Sequence, residues 1–468
     1  MKTIGLYICS YNGVEDTVRC IETLLKQRFS NFDIYVIDNG STDRTSEILS
    51  ERFGNAISII RNEENLGGSG GFDTGLQDGL KKGYPYLLLM DNDIVVDENC
   101  VGELYACITS NEQYGAVGAK VLYLDMPDKI FDFGNVIDMV HFKDAAVYRD
   151  FYDDDEHFNG LLPSDYVPAT AAIFRREALL DAGTMPTDNF IYFDDIEMSY
   201  RIRQYGWSVL YDGKAKVWHR SSNLHNKKNN FSDYYFKRNR WNFFAKYIRE
   251  DQIDAFLDSI IKPLFPVLYG CKFKGYMTKY DQQWYPFYDF VSHIRGKAGE
   301  HRIRAFEEVQ NTRLNKALSG KKNVFVYIDA QASNIKGLYR IVNMVRLLNG
   351  DVRVVVHAEN NLGRSEFPLH QDFLWNYQDP MQPVSLSEQS QMVYDLKIRY
   401  VSHVRSIKEN PLPTVIIDRY LNVIDDKASL MYWQGYDAAF QSFRETYRKK
   451  ALQTIKLLRE QNRIIKKQ

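Results

Sequence analysis

Residues 86–93 read Tyr-Leu-Leu-Leu-Met-Asp-Asn-Asp, an apolar run that ends abruptly on two carboxylates. A strand buried on both faces reads as such a run, and ligands collect at the carboxyl ends of strands in open α/β sheets. Carboxylates there are costly to desolvate unless a cation or a proton compensates them. Asp91 and Asp93 are therefore candidate ligands of Mg²⁺ or Mn²⁺, which prefer oxygen and often bind carboxylates together with substrate phosphates. An acidic surface turn is the alternative interpretation, because Asp and Asn are common turn residues.

Composition limits the classes of function. The chain has 468 residues and a formal net charge of −2, so it is long enough for about two or three domains and carries no global positive charge for nucleic acid. Its 5 cysteines lack C-x-x-C spacing, which indicates neither a disulfide framework nor a zinc site. No apolar run approaches the ~18–20 residues of a membrane span, and the chain begins on a strand-like segment without a leader. These features predict a cytoplasmic protein.

A parallel sheet is predicted around the acidic segment. Strand-like runs at residues 4–9, 33–37, 56–60 and 86–90 alternate with helical patterns, which is typical of right-handed β-α-β crossovers. Polar residues follow three of these strands. Because parallel strands end at the same edge of a sheet, we expect these polar clusters to converge.

A glycine-rich segment at residues 61–73 is predicted to be a loop that leads into a helix. Glycine permits a positive φ and close backbone approach, and a helix N-terminus favours anions. The segment lacks the G-K-[ST] ending of a Walker A loop and the dinucleotide-binding pattern G-x-G-x-x-G. A flexible surface loop is the alternative.

A second acidic cluster lies downstream, where Asp194, Asp195 and Glu197 open a predicted helix. Helix capping would explain one of these acids, but three acids behind an aromatic run favour an altered proton affinity and a general base. Residues 207–211 and 216–219 read as two short strands, and the second ends on His219. We treat His219 as either a structural residue or a metal ligand.

These pieces, in this order, resemble a family 2 glycosyltransferase with the GT-A fold. The resemblance covers about the first 220 residues and rests on six ordered motifs, which are ICSYN at 8–12, VIDNGSTD at 36–43, NLGGSGG at 65–71, DND at 91–93, FDDIE at 193–197 and VWH at 217–219. The glycine-rich form is closest to galactofuranosyltransferases, and rhamnosyltransferases share most of the other motifs.

The resemblance implies roles for individual residues. Those implied to bind the nucleotide-sugar are Cys9, Ser10, Tyr11, Asp38, Asn39, Asn65, Gly67, Gly68 and Asp91. Asp93 and His219, with Asp91 beside them, would bind Mn²⁺ or Mg²⁺. Asn39 stands where many relatives have an acid, so the resemblance leaves the base preference open.

Asp195 would be the general base, with Asp194 and Glu197 positioning the acceptor. Because relatives often have Glu-Asp where this chain has Asp194-Asp195, Asp194 is the alternative base. In residues 231–247 aromatic and basic side chains alternate, and we assign Arg238 and Trp241 to acceptor binding. A packed amphipathic helix and an interfacial surface for a lipid-linked acceptor are both open for this segment.

Four regions are predicted. Residues 1–225 form the GT-A domain and 226–320 a helical connecting region, while 321–430 form a smaller α/β domain and 431–468 a basic helix. In the second domain we predict strands at 324–329, 352–356 and 414–418. We assign Asp329 and Asp418, which end strands, turn or capping roles, with positions at a cleft as the alternative. The apolar segment 260–269 is predicted to graze a membrane or to lie in a helical core.

The sequence therefore predicts an inverting, metal-dependent glycosyltransferase. Its donor would be a UDP- or dTDP-linked sugar, with galactofuranose favoured and rhamnose next, and its acceptor a lipid-linked oligosaccharide at the inner face of the cell membrane. We predict no nucleic-acid partner. A sugar-1-phosphate nucleotidyltransferase is the alternative enzyme, and a non-catalytic carbohydrate-binding scaffold is the non-enzymatic alternative.

Overall fold

A computed structural model describes residues 2–220, 229–306, 311–328, 336–349, 353–358, 373–377, 394–407 and 414–465. The chain divides into two compact units that are interleaved in sequence. Unit 1 comprises Met1–Ser259, Trp284–Phe306 and Lys449–Gln468, and unit 2 comprises Ile260–Gln283 and Glu307–Arg448. The four-region division stays a prediction about domain boundaries.

Unit 1 is built on a mixed, mostly parallel sheet, so the predicted α/β class is confirmed. Its strands run in the order β10-β12-β6-β11-β4-β1-β2-β3, with β5 paired to β12 and β7 to β6. The strands of unit 1 are β1 (Ile4–Ser10), β2 (Phe32–Asp38), β3 (Ser58–Arg61), β4 (Tyr86–Asp91), β5 (Ile94–Val96), β6 (Tyr114–Tyr123), β7 (Ile130–Asp132), β8 (Asn135–Asp138), β9 (Lys143–Ala146), β10 (Leu161–Pro163), β11 (Ala171–Arg175) and β12 (Ser208–His219).

The register of the central strands brings the predicted polar clusters to one edge. β1 pairs in parallel with β2 and β4, which places Ser10 opposite Asp38 and Cys9 opposite Asp91. β11 runs antiparallel to β4, with Ala171 opposite Met90. The apolar residues of β4 from Leu87 to Met90 are fully buried, as a strand covered on both faces requires.

Helices cover both faces of this sheet. The helices that begin before residue 260 are α1 (Val14–Leu24), α2 (Thr45–Phe53), α3 (Gly67–Lys82), α4 (Cys100–Ser110), α5 (Arg176–Ala182), α6 (Asp194–Gln204), α7 (Phe231–Tyr247) and α8 (Ile253–Lys274). The chain continues through α9 (Met277–Val291), α10 (Thr312–Leu318), α11 (Lys336–Asn349), α12 (Lys427–Gln434) and α13 (Tyr436–Ile465).

Two sequence expectations in unit 1 are wrong. The glycine-rich segment 61–73 is not a loop throughout, because α3 starts at Gly67 and its glycines lie in a tightly packed helical turn. The strands expected at 207–211 and 216–219 are one continuous strand, β12, whose register with β6 shifts between Asp212 and Lys216. The register shift lies at the polar residues that separate the two predicted strands, where the apolar pattern is interrupted.

Unit 2 contains a second, separate sheet with the order β15-β14-β13-β16-β17-β18. Its strands are β13 (Asn323–Ile328), β14 (Arg353–Ala358), β15 (Phe373–Tyr377), β16 (Leu396–Val401), β17 (Thr414–Asp418) and β18 (Val423–Ile424). All pairs are parallel except β17 with β18. The predicted smaller α/β domain is present here. Sequence reading missed β15, β16 and β18, and Asp329 lies outside the described residues.

Within unit 2, α8 is continuous through Pro263 and Pro266. Phe265 of this helix packs with Val404 and Trp433 in a hydrophobic cluster, which favours the helical-core interpretation of residues 260–269. Among the described residues, none of the helices combines the length and the apolar character that crossing a bilayer requires.

The basic C-terminal helix is also packed. On α13, Ala451, Ile455 and Leu458 share one face and are buried, and Arg459 donates to the carbonyl of Ala245 at 3.1 Å. This part of the helix therefore belongs to unit 1 rather than extending into solvent.

Candidate active site

Two acids and one histidine form a compact group of potential metal ligands. Asp91 ends β4, Asp93 follows it, and His219 ends β12, whose pairing places His219 opposite Ile94. The His219 Nε2 atom lies 3.2 Å from Asp93 Oδ1 and 3.9 Å from Asp91 Oδ2. One ligand atom from each of the three residues lies within 4.8 Å of the others. The structure thus brings together the three residues that the sequence resemblance proposed as metal ligands.

The chemistry of this group fits a divalent cation. Burial, and then the neighbouring Asp93 charge, raise the pKa of Asp91 to about 6. Burial lowers the pKa of His219, but its hydrogen bond to Asp93 and the charges of both acids raise it more strongly, so the net shift is upward. Two carboxylates this close together repel each other, so a bound cation would stabilise them, and carboxylate oxygens with one imidazole suit Mn²⁺ or Mg²⁺.

The second acidic cluster opens α6. Asp194 is only 7% exposed, whereas Asp195 is less deeply buried and its Oδ2 accepts a hydrogen bond from the backbone N–H of Ala169 at 3.3 Å. Burial raises the pKa of Asp195 well above its ordinary value, and the charges of Asp194 and Asp91 raise it further. Neither acid acts as an N-cap, because Phe193 occupies that position and α6 has no side-chain cap.

One short segment connects both acidic clusters. The backbone N–H of Asp91 donates to the carbonyl of Thr170 at 3.1 Å, and the adjacent N–H of Ala169 donates to Asp195. Successive residues ahead of β11 thus contact the two acids directly. The charge of Asp194 also raises the pKa of Asp91. The clusters, far apart in sequence, therefore lie close enough for their charges to interact.

The loop ahead of α6 has an unusual backbone. Phe190, Tyr192 and Phe193 have φ angles of 68°, 65° and 64°. Such angles are uncommon for non-glycine residues, and bulky side chains persist there only when the surrounding structure holds them. The loop therefore places α6 and its acids in an orientation that the local sequence alone does not favour.

Helix α7 supplies the groups that hold this loop. The Asn239 side-chain amide donates to the carbonyls of Asn189, Ile191 and Tyr192 at 3.0, 2.7 and 3.0 Å. Arg238 donates to the carbonyl of Asn189 at 3.0 Å and to that of Gly296 at 2.9 Å. Both side chains are fully buried. Arg238, which the sequence assigned to acceptor binding, thus binds backbone carbonyls inside the protein.

Glu197 is likewise engaged within the protein. Its carboxylate forms a buried ion pair with Lys246 at 2.7 Å and accepts a hydrogen bond from the Tyr247 hydroxyl at 3.1 Å. Burial raises its pKa, but Lys246 and other cations lower it below the ordinary value. Glu197 and Lys246 line a cavity of about 320 Å³ together with Arg201. Trp241, also assigned to the acceptor, is half-buried against Phe287 and Phe290.

The residues at the end of β1 and directly after it differ in how far they are exposed to solvent. Tyr11 is 46% exposed, and Cys9 is partly exposed at the site edge. Burial, and then the charge of Asp91, raise the pKa of the Cys9 thiol to about 12, so the thiol is neutral. Ser10 is buried, and its hydroxyl bonds that of Thr17 at 2.8 Å.

The residues after β2 organise the loops around the site. Asp38 accepts hydrogen bonds from the Ser41 N–H at 2.8 Å and from the Ser46 hydroxyl. The Asn39 amide donates to the carbonyl of Gly67 at 2.9 Å and accepts from the Leu66 N–H at 3.3 Å. An amide fulfils both functions where an acid could only accept, which gives a physical reason for Asn at position 39.

The glycine-rich start of α3 contacts the loop that precedes the second acidic cluster. Gly67 has a φ of 75°, and a Cβ atom there would lie 2.0 Å from the carbonyl oxygen of Phe190. The nearest atom to a Cβ at Gly68 is 3.7 Å away, on Ile191. Asn65 accepts from the Gly67 N–H at 2.8 Å. Gly67 is therefore needed for packing, whereas a Cβ atom at Gly68 would make only an ordinary van der Waals contact.

Sequence reasoning missed several residues that shape this site. Ala169 and Thr170 act through their backbone, which carries no side-chain signal. Asn239 and Lys246 lie about 50 residues after their partners, which are the carbonyls of the loop ahead of α6 for Asn239 and the Glu197 carboxylate for Lys246. The aromatic and basic pattern of residues 231–247 marked the helix, but the pattern did not distinguish inward from outward polar residues.

The chain is similar in sequence to known glycosyltransferases. Residues 6–182 match the model of the family described as "Glycosyl transferase family 2". The poly-beta-1,6-N-acetyl-D-glucosamine synthase of Staphylococcus epidermidis is 20% identical over 219 residues, which are 47% of this chain and 50% of that protein. Galactofuranosyltransferase GlfT2 of Mycolicibacterium smegmatis is 27% identical over 205 residues, which are 40% of this chain and 31% of that protein.

The chain thus spans half or less of the length of these curated relatives. Among solved structures, that of GalNAc-T7 with UDP, GalNAc and Mn²⁺ overlaps 56% of this chain and 51% of its own, with 15% identity and a TM-score of 0.43.

Proposed function

Because residues 6–182 form a family 2 glycosyltransferase domain, we propose that this protein transfers a sugar from a nucleotide-diphospho-sugar to an acceptor hydroxyl with inversion at the anomeric carbon. The observation that carries the proposal is the junction at Ala169 and Thr170. It links the candidate base Asp195 to Asp91 of the candidate metal group. A direct displacement needs a base on one side of the reacting carbon and charge stabilisation on the other.

In the proposed reaction Asp195 accepts the proton of the acceptor hydroxyl. The acceptor oxygen forms a bond to the anomeric carbon as the bond from that carbon to the diphosphate oxygen breaks. The electron pair of that bond leaves with the nucleoside diphosphate. The raised pKa of Asp195 makes its carboxylate a stronger proton acceptor than an exposed aspartate.

Asp91, Asp93 and His219 are the residues that would hold Mn²⁺ or Mg²⁺. When bound, such a cation supplies Lewis-acid stabilisation of the charge that develops on the diphosphate. Holding the ligand atoms close together, as these residues do, reduces the reorganisation that binding requires.

Donor binding is proposed along the edge formed by the ends of β1, β2 and β4. Tyr11 and Cys9 are accessible there, and the N-terminus of α3 at Gly67 and Gly68 favours the negative charge of a diphosphate. Asp38, Asn39, Asn65 and Gly67 would act by shaping the loops, because their polar groups are engaged within the protein. Ser10 would act in the same way through Thr17.

The donor sugar, acceptor and location are part of the proposal. Similarity to a galactofuranosyltransferase supports galactofuranose as the donor sugar. We propose UDP as its carrier, and rhamnose on dTDP ranks next. We propose that the acceptor is a lipid-linked oligosaccharide and that the protein works in the cytoplasm at the inner face of the cell membrane. Trp241 remains a proposed acceptor contact because it is only half-buried.

A panel of nucleotide-sugars tests this function. The purified full chain is incubated with UDP-galactofuranose, dTDP-rhamnose and common UDP- and GDP-hexoses, each with Mn²⁺, with Mg²⁺ or with EDTA. Release of the nucleoside diphosphate and glycosylation of a lipid-linked acceptor are measured together. We expect one donor to be consumed in a cation-dependent way. If no donor yields a product, or if EDTA leaves the rate unchanged, the proposal is wrong.

A further inference from the structure

Unit 2 contains a cavity of about 450 Å³ that lies outside the site described above. It is lined by residues that follow β16 and β17, including His403, Arg405, Arg419 and Tyr420. These residues stand at the carboxyl end of a parallel sheet, where open α/β sheets bind ligands. The sheet order, in which β13 is flanked by β14 on one side and β16 on the other, is that of a doubly wound nucleotide-binding sheet.

The charge of this cavity has one sign. The cationic side chains that line it are Lys262, Lys274, Lys279, Arg340, Arg405 and Arg419. The described residues that line it include no Asp or Glu. A cavity lined by one sign of charge attracts ligands of the opposite sign.

Three of these cations form no ion pair with another described residue. Lys279, Arg340 and Arg405 have no carboxylate of the described part of the chain within 4.0 Å, the limit for a salt bridge. Arg405 instead contacts Tyr436, donating to its hydroxyl at 3.2 Å with the guanidinium 5.2 Å from the ring centre. Arg419 likewise donates to the hydroxyl of Tyr420 at 2.7 Å, and its guanidinium lies 4.7 Å from the centre of the Tyr420 ring.

Asp418, the acid that ends β17, is already engaged within the protein. Asp418 is fully buried and accepts hydrogen bonds from the backbone N–H groups of Val404, Tyr420 and Asn422 at 3.2, 2.9 and 3.0 Å. This is the turn role that the sequence predicted for Asp418. Burial, together with the charges of Arg405 and Arg419, lowers the pKa of His403 to about 4, so His403 is neutral at pH 7 and can accept or donate a hydrogen bond.

We propose that this cavity of unit 2 binds a phosphate or diphosphate ester. Its volume is within the range of about 300–1,000 Å³ that is usual for small-molecule sites. Guanidinium groups bind phosphate oxygens with directed pairs of hydrogen bonds, and aromatic walls such as Tyr276, Tyr420 and Trp433 suit the organic part of the ligand. The ester is either a soluble metabolite or the headgroup of a lipid.

Calorimetry with the full chain tests the proposal. Inorganic pyrophosphate is titrated at about 0.15 M salt, where distant surface charges are screened, and in EDTA so that no divalent cation is bound at Asp91 and Asp93. The cavity variants are Lys279→Gln and Arg405→Gln, both at exposed positions, and the matched control is Lys427→Gln on α12, which is exposed and outside the cavity. Thermal melts check that all variants fold.

We expect pyrophosphate to bind the wild type and Lys427→Gln equally, and each cavity variant to bind about tenfold more weakly, the effect of one charged hydrogen bond. If phosphatidic acid vesicles compete with pyrophosphate and phosphatidylcholine vesicles do not, the ligand is a lipid headgroup. If neither kind of vesicle competes, the ligand is a soluble ester. If pyrophosphate does not bind, or if folded cavity variants bind as tightly as the control, the proposal is wrong. Neither result depends on the glycosyltransferase activity of unit 1.

Discussion

Asp194 and Asp195 are adjacent in sequence, but their surroundings assign them different roles. Asp194 is almost completely buried, and burial raises its pKa. Asp195 is more accessible, and the N–H of Ala169 fixes the direction of its carboxylate. A general base must reach the substrate proton within hydrogen-bonding distance. Accessibility therefore favours Asp195, the residue that the sequence resemblance also indicates.

Replacing each acid in turn distinguishes these roles. We expect Asp195→Asn to lower kcat by about 10²–10⁴-fold, the usual contribution of a general base, while donor binding is retained. Asp194→Asn should cause a smaller loss. Steady-state kinetics and donor titrations of both variants measure these effects. A larger loss in Asp194→Asn, with Asp195→Asn near wild type, would assign the base to Asp194.

The raised pKa of Asp195 also predicts an effect on stability. Burial and neighbouring charges raise this pKa in the folded state. The resulting stabilisation is fully present below the unfolded pKa of about 3.9 and is lost as the pH rises through the folded value. In EDTA we therefore expect Asp195→Asn to have a higher Tm than wild type at pH 8, and the difference to shrink toward pH 4. Thermal melts across this range test the prediction, and a lower Tm of the variant at pH 8 would contradict it.

At this scale the sequence identified the acids and His219 but could not show how their neighbours use their polar groups. Asn39 was assigned to the nucleotide-sugar by the family resemblance, and Arg238 to the acceptor from the aromatic and basic pattern of residues 231–247. In the structure Asn39 bonds the backbone of residues 66 and 67, and Arg238 bonds backbone carbonyls while fully buried. Which partner a polar side chain finds depends on long-range contacts that no local pattern encodes.

Among the elements, the loop at residues 189–193 has the strongest influence on the site. Its positive φ angles are unfavourable for aromatic residues, and the Asn239 amide compensates with bonds to three of its carbonyls. Because α6 starts directly after this loop, its conformation sets the position of Asp195. We therefore expect α7 to act on catalysis without touching the substrate.

Asn239→Ala tests this expectation, with Asn242→Ala as the matched control. Both asparagines are buried on α7, but the side-chain amide of Asn242 has no hydrogen-bond partner among the described residues. We expect Asn239→Ala to lose about 1–3 kcal/mol of unfolding free energy per carbonyl left unsatisfied and to lower kcat more than it raises KM. Asn242→Ala should leave kcat near wild type. Equal kinetics of the two variants would contradict a positioning role.

Sequence patterns predicted elements well where one face is continuously apolar, as in β1, β2 and β4. They failed where an element is held by distant partners. The glycines at the start of α3 suggested a loop, because glycine disfavours helices, but close packing of Gly67 on Phe190 requires a residue without a side chain. The short strands β15 and β18 carry too few residues for periodicity to indicate them.

For the whole molecule, the compact units do not follow one another along the chain, because each is built from segments that are not consecutive in sequence. Unit 1 includes residues 284–306, which lie between the two segments of unit 2, and residues 449–468, which follow unit 2. The boundaries at residues 259, 283 and 448 fall inside helices. Domain prediction from sequence looks for linkers rich in glycine, proline or polar residues. A boundary within a continuous helix offers no such signal, which explains why the sequence suggested consecutive regions.

The central claim is that Asp91, Asp93 and His219 hold a cation that serves the reaction of Asp195. The most direct test follows Mn²⁺ binding, by electron paramagnetic resonance, and sugar transfer in the same samples of wild type and Asp93→Ala. We predict that binding and transfer in the wild type rise together with Mn²⁺ concentration, and that Asp93→Ala loses both. Undiminished transfer by Asp93→Ala, or by the wild type in EDTA, would contradict the claim.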